Sequence, residues 1–245
     1  MIKLVIIFSV LFTFMYACSN SGNGFESDMM KTANGDLKIT FIGHGTLMFQ
    51  FKGQTIHIDP VGMYADYTKL PAADIILVTH EHGDHLDPEV ISILKHDKTD
   101  ILLNQACADE LGFGTVLKNG DTTSVKGLQI VAVPAYNIQH KRDSGLPFHP
   151  KGNGNGYILD FSDTRVYVAG DTENIPEMSD LGKIDIAFLP MNLPYTMTPE
   201  MAAEAALRIS PGILYPYHYG KTETAKLTEL LSEHDEIDVR VRQLQ

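Results

Sequence analysis

The chain has 245 residues, 44% of them hydrophobic and 20% charged, and a formal net charge of −12. That length and composition suit one large α/β or all-β domain with a sizeable core. The acidic balance sets nucleic acid aside as the default partner, because an acidic surface repels polyphosphate.

Residues 1–17 read as a signal peptide of lipoprotein type. MIK is a short basic start, and LVIIFSVLFTF (4–14) is an apolar run too short to span a bilayer as a conventional helix. MYAC (15–18) places a small residue before a cysteine, as a bacterial lipoprotein signal does. Cleavage before Cys18 and lipidation of it are expected. The chain is then an exported, membrane-anchored lipoprotein of a bacterial cell envelope. Residues 18–36, polar, small and without period, read as a flexible tether about 20–25 Å in reach. With Cys18 lipidated, Cys107 has no partner for a disulfide.

The folded domain is expected over 37–245. LKITFI (37–42), LMFQF (47–51) and TIHID (55–59) alternate and form an antiparallel meander. DIILVT (74–79) is nearly all apolar, as for a strand buried on both faces. Asp87 and Pro88 then open a helix to about Lys95. ILL (101–103) is a strand, 105–112 a helix, and 115–133 a β-rich stretch with turns at Asn119-Gly120 and Lys126-Gly127. After a polar loop come YILDF (157–161), RVYVA (165–169) and IDIAFL (184–189), a helix over 201–209, ILY (213–215) and a helix over 222–233. No solenoid repeat and no linker divides this stretch, so one α/β domain with two sheets and helices outside them is predicted.

Four apolar runs lead to ligand-type residues at or just past their carboxyl ends. They precede His80, the PAYN stretch ending at Asn137, Asp171 and His218. Sites in sheets with helical crossovers assemble at that edge. The stretch VTHEHGDHLD (78–87) is the densest of them. His80 and His82, two apart, can face one side of an extended backbone, and Gly83 lets Asp84 and His85 turn to another. Imidazole and carboxylate in two groups suit two adjacent divalent cations, zinc foremost, with manganese or iron able to use the same donors. Such a pair favours a bridging hydroxide at neutral pH.

THEHGDHL (79–86), with ITFIGHG (39–45), IDP (58–60), AGDT (169–172), YTMTPE (195–200) and PYHYG (216–220), resembles the metallo-β-lactamase superfamily. It is similar to a branch of ascorbate-6-phosphate lactonase-like and N-acyl-phosphatidylethanolamine phospholipase D-like hydrolases. The resemblance covers 37–245 and implies a four-layer αββα sandwich with a dinuclear metal site. It implies His80 and His82 on a first metal, Asp84, His85 and His218 on a second, and Asp171 between them. The superfamily places a third histidine for the first metal soon after a Pro-Ala-aromatic turn, where this chain has Asn137. Asn137, His140 and His149 are the candidates, with His149 preferred because flanking Pro147 and Pro150 reduce the cost of ordering its loop.

His44 and Tyr195 are candidates to line the pocket, and Asp59 to accept a hydrogen bond from a metal-binding histidine. His57, His96 and His234 are expected to be structural. The expected activity is metal-dependent hydrolysis of a small phosphoester or lactone through the metal-bridging hydroxide, with Asp84 orienting it and passing a proton. A non-catalytic metal- or ligand-binding surface lipoprotein on the same fold is the alternative, motivated by Asn137.

Overall fold

The computed structural model describes residues 24–244. The signal segment and Cys18 therefore lie outside the described residues. Two seven-stranded sheets face each other. The first runs in chain order: β1 (Ser27–Thr32), β2 (Gly35–Gly43), β3 (Thr46–Phe51), β4 (Gln54–Ile58), β5 (Ile75–Leu77), β6 (Asp100–Leu103) and β7 (Thr115–Val116). Its first four strands pair antiparallel and its last four parallel. The second sheet holds β8 (Thr122–Val125), β9 (Leu128–Ala135), β10 (Gly154–Asp160), β11 (Arg165–Val168), β12 (Ile186–Pro190), β13 (Ile213–Tyr217) and β14 (Asp238–Val239). It repeats the plan, antiparallel from β8 to β11 and parallel from β11 to β14.

Strand alternation distributes the core. Ile75 and Leu77 of β5 join the large cluster between the sheets, which also holds Phe41, Phe49, Phe188 and Tyr215. Ile76 and Val78 point the other way. They pack with Val90, Ile91 and Leu94 of helix α1 (Pro88–Leu94) and Cys107 of α2 (Gln105–Leu111). A strand covered on both faces must be apolar throughout, which explains the unbroken IIL run. On the far side, α3 (Pro199–Ile209) buries Met201, Ala202, Ala205, Ala206 and Ile209, a helical stripe, and packs against β12 and against α4 (Thr224–Leu230). The four layers are therefore α, β, β, α. No helix among the described residues is long and apolar enough to cross a membrane.

The helix starts follow their caps. Asp87 accepts from the backbone N–H groups of Glu89 and Val90, and Thr198 from that of Met201 at 3.1 Å. The last helix is shorter than the predicted 222–233, and Glu223 at its start makes no side-chain capping bond.

One boundary needs correction. Ser27–Thr32, inside the predicted tether 18–36, forms β1 and pairs along its whole length with β2. Met30 is buried in the core, and Asp28 is held by the Tyr215 hydroxyl and by Arg242 Nη2 at 2.7 Å. The domain thus begins by Ser27. SDMMKT carries little strand signal alone, and its place depends on an open sheet edge and a half-buried arginine from the far end of the chain. β14, two residues long, was equally invisible to periodicity.

Candidate metal centre

Every residue of the cluster sits just past the carboxyl end of a strand or in a loop beside it. β5 delivers Thr79 through His85; β11 delivers Asp171; β13 delivers His218; the β2–β3 turn delivers His44; and the loop between β9 and β10 delivers His149. His44, Asp59 and His218 all hold positive φ, at 52°, 46° and 45°. Such backbone is costly without glycine and gathers at functional sites. Gly45 leaves the room these rings need. A Cβ there would lie 2.9 Å from His85 Cε1 and 3.2 Å from His218 Cδ2.

The donor atoms form connected groups. His80, His82 and His149 each present one ligand atom within 4.8 Å of the others, as do His80, His85 and Asp171, and also His44, Asp84 and His218. His80 Nε2 lies 3.1 Å from His82 Nδ1. Asp171 faces both sides of the cluster. Its Oδ2 is 3.2 Å from His149 Nε2, and its Oδ1 is 3.4 Å from His85 Nε2 and 3.5 Å from His218 Nε2. Asp84 Oδ2 is 3.3 Å from His44 Nε2 and 3.5 Å from His218 Nε2.

These residues fit divalent metal. Two nitrogens bound to zinc at about 2.0–2.1 Å in a tetrahedron stand about 3.3 Å apart. The observed spacings match that, and they are long for good hydrogen bonds. His85 Nε2, Asp171 Oδ1 and His218 Nε2 are buried and have no hydrogen-bond partner. Buried polar atoms without partners are rare and costly, and three of them converging in one cluster suit a shared cation.

Electrostatics agree. Burial holds His80 well below the ordinary histidine range and also lowers His82 and His44. Burial opposes charge on Asp171, yet the His218 and His85 rings hold its carboxyl well below the usual range. Burial also opposes ionisation of Asp84, and again His218 and His44 outweigh it. His85 goes the other way: burial disfavours its charge, but Asp171 and Asp59 push it up to about 9. Three neutral-leaning imidazoles and two ionised carboxylates are the protonation states a metal needs.

Asp59 lies behind His85. Its Oδ2 is 2.7 Å from His85 Nδ1, and it accepts from the Thr79 backbone N–H at 2.8 Å and hydroxyl at 2.7 Å. Thr79 Oγ1 in turn lies 3.0 Å from His80 Nδ1. One carboxylate thus orients His85 directly and His80 through a hydroxyl, leaving both Nε2 atoms for the cluster. Thr79 was missed in the sequence, where it read only as the end of a strand.

Of the three candidates to join His80 and His82, the structure brings His149. Its ring centroid is 5.0 Å from each of theirs. His140 turns away, with Nδ1 3.0 Å from Glu173 Oε1. Asn137 stands behind His149, with its Oδ1 2.7 Å from the ring's Nδ1. That removes the motive for the non-catalytic alternative. His44, expected only to line the pocket, makes direct contact with Asp84 and with the His218 ring, 3.8 Å between centroids. His57 is buried in the sheet against Pro71 O at 3.0 Å and lowered to about 4 by that burial, a structural histidine as expected.

The cluster opens into a cleft of about 420 Å³. His82, Asp84, His149, Asp171 and His218 line it together with Arg142, Phe148, Asn192 and Tyr195. Tyr195 was expected here; Arg142, Phe148 and Asn192 were not. Arg142 and Phe148 lie in a polar loop whose path could not be foreseen, so nothing local marked them.

Residues 38–218 match the family model described as a β-lactamase superfamily domain. The chain belongs to the metallo-β-lactamase superfamily. A metal-dependent hydrolase from Thermococcus onnurineus is 34% identical over 197 residues, which span 75% of this chain and 84% of that protein. Another from Methanopyrus kandleri is 31% identical over 195 residues, with the same two shares, 75% and 84%. A crystal structure from Parabacteroides distasonis, provisionally described as a metal-dependent hydrolase, is 54% identical with a TM-score of 0.86. It covers 90% of this chain and 100% of that one. With these relatives the protein is a metal-dependent hydrolase whose substrate is unassigned.

Proposed function

We propose that this superfamily member binds two divalent metals, zinc foremost, and hydrolyses a small anionic molecule of phosphoester or lactone type. The observation that carries the metal pair is Asp171, whose two oxygens face His149 on one side and His85 and His218 on the other. His80, His82 and His149 would hold one metal, and Asp84, His85 and His218 the second, with Asp171 between. When bound, the metals supply Lewis acidity and make water nucleophilic at neutral pH. The chain's own residues do the rest. Asp84, ionised and lining the cleft, takes a proton from the attacking water and passes that proton to the leaving group. Asp59 and Thr79 hold two of the rings in place.

Arg142 supports the anionic substrate. Among the described residues it is the one lysine or arginine lining the cleft, in a chain with net charge −12. Its guanidinium lies 5.1 Å from the Phe148 ring centroid, and Nη2 donates to Phe148 O at a long 3.4 Å. With only that long bond on its planar donor fork among the described residues, Arg142 keeps donors for a ligand in the cleft, and such a fork binds carboxylate or phosphate with two bonds. Phe148 meets Tyr195 edge to face at 5.0 Å and completes an aromatic wall.

The test is a panel of phosphodiesters, phosphomonoesters and lactones, each with and without an added carboxylate, with metal content measured on the same sample. Turnover abolished by chelation and by His82→Ala is expected. Arg142→Gln should lower kcat/KM for the anionic members by about 10-fold or more, mainly through KM, and spare the neutral ones. No chelator-sensitive turnover anywhere on the panel would sink the reading, and equal loss for neutral substrates would remove the role of Arg142.

The lipid anchor is part of the same proposal but rests on residues 1–18 alone. Radiolabelled palmitate should enter the wild-type chain and not Cys18→Ser; equal labelling of both would refute it.

A further inference from the structure

We infer that Asn137 and Glu173 are positioning residues that set the tautomer and direction of His149. The inference rests on the metal reading of the site and extends it to a buried carboxylate that the chemistry above does not use.

His149 lies in the long loop between β9 and β10, which no helix or strand supports. Ordering such a loop costs backbone entropy at every residue, so a ring aimed from it needs anchors. Asn137 supplies the first. Its Oδ1 accepts from the His149 backbone N–H at 2.8 Å and lies 2.7 Å from His149 Nδ1. Its Nδ2 donates to Tyr195 O at 2.8 Å and to Glu173 Oε1 at 3.1 Å. The amide direction is determined twice over, because a backbone N–H can only donate and a carbonyl can only accept. The oxygen end must face His149, so His149 Nδ1 carries the proton and donates it. Nε2, 3.2 Å from Asp171 Oδ2, is left as the atom that faces the cluster.

Glu173 supplies the second anchor. It is fully buried, and its carboxylate accepts from three successive backbone N–H groups, Ile138 at 2.8 Å, Gln139 at 2.7 Å and His140 at 2.6 Å. Consecutive N–H groups converging on one anion hold a loop in a defined shape. Glu173 is two residues from Asp171, and its backbone N–H bonds Tyr136 O at 3.0 Å. One short segment after β11 therefore places a carboxylate in the cluster and clamps the loop that brings His149 to it.

The test uses the full chain, stripped by chelator and titrated with zinc against a chromophoric competitor. Long-range ¹H–¹⁵N spectra of the imidazoles are recorded with and without zinc. Wild type should show His149 protonated at Nδ1 in both states. Asn137→Ala should lose that signal, and both Asn137→Ala and Glu173→Gln should weaken one zinc site by about 10–100-fold while leaving the other near wild type. A merely structural role would lower the melting temperature and both affinities together, with the tautomer unchanged. Unchanged affinities in both variants, or a wild-type His149 bare at Nδ1, overturn the inference. Should the variants not fold, the wild-type spectrum still decides. A wild type that takes up no zinc sinks the metal reading instead, while the metal-free spectrum still judges Asn137.

Discussion

Asp171→Asn is expected to bring metal content below two per chain and hydrolytic turnover down by about 10³-fold or more. The change keeps the shape of the side chain and replaces one oxygen by an NH₂ group. Oδ1 faces His85 and His218, and Oδ2 faces His149 and, at 4.0 Å, His80. Whichever oxygen is lost, a donor N–H points where a lone pair is needed. A bound metal is worth several kcal/mol of charge stabilisation in the transition state, and each 1.4 kcal/mol is about tenfold in rate. Asp171 is also the buried counter-charge of His85. Removing one partner of a buried charged group commonly costs about 3–5 kcal/mol, so the metal-free variant should melt well below the metal-free wild type. Metal analysis, steady-state rates and melting curves on one preparation check all three. A variant holding two metals at wild-type turnover would exclude the bridging position of Asp171.

The second large effect is a divergence with pH between stripped and metal-loaded protein. His85 is pushed from an ordinary 6.5 up to about 9 in the metal-free fold by Asp171 and Asp59, against its burial. A raised pKa contributes stability that is fully present below 6.5 and lost as pH rises through about 9. The chelated protein should therefore lose melting temperature across that window. The size is on the order of a few kcal/mol, or roughly 5–10 °C for a domain of this length. His80, His82 and His44 are shifted downward, so their linkage acts below 6.5 and does not disturb the window. Metal needs His85 Nε2 without its proton, so affinity should rise over the same range. The melting temperature of loaded protein should hold or climb while that of stripped protein falls. Scanning calorimetry at pH 6, 7.5 and 9 with and without chelator measures the gap. Parallel curves would show that His85 does not carry a proton that metal displaces.

Much of this molecule was readable in one dimension because its signals are local. The IIL run of β5, the Asp87-Pro88 cap of α1 and the alternation of β2 to β4 each arise from neighbours a few residues apart. His80, His82, Asp84 and His85 lie within six residues of one chain turn, so a spacing argument reaches them. Asp171 and His218 were reachable because each ends a predicted strand, where a sheet edge gathers side chains. The family resemblance added their grouping.

What the sequence could not decide depends on contacts between distant segments. SDMMKT is a strand because β2 offers an edge and Arg242 a charge for Asp28. Among Asn137, His140 and His149 the sequence preferred His149 only through the two prolines beside it. A 2.7 Å contact placed Asn137 behind the ring, Glu173 drew His140 away, and His149 alone turned toward His80 and His82. Thr79, Arg142 and Glu173 gained their roles the same way, from what the fold set beside them. The chain by itself therefore determined the architecture and the chemical kind of the site, since periodicity and ligand spacing are properties of neighbours. Only the tertiary structure decided which histidine completes the cluster and what faces its cleft, because a loop's path is set by the buried groups that tie it down.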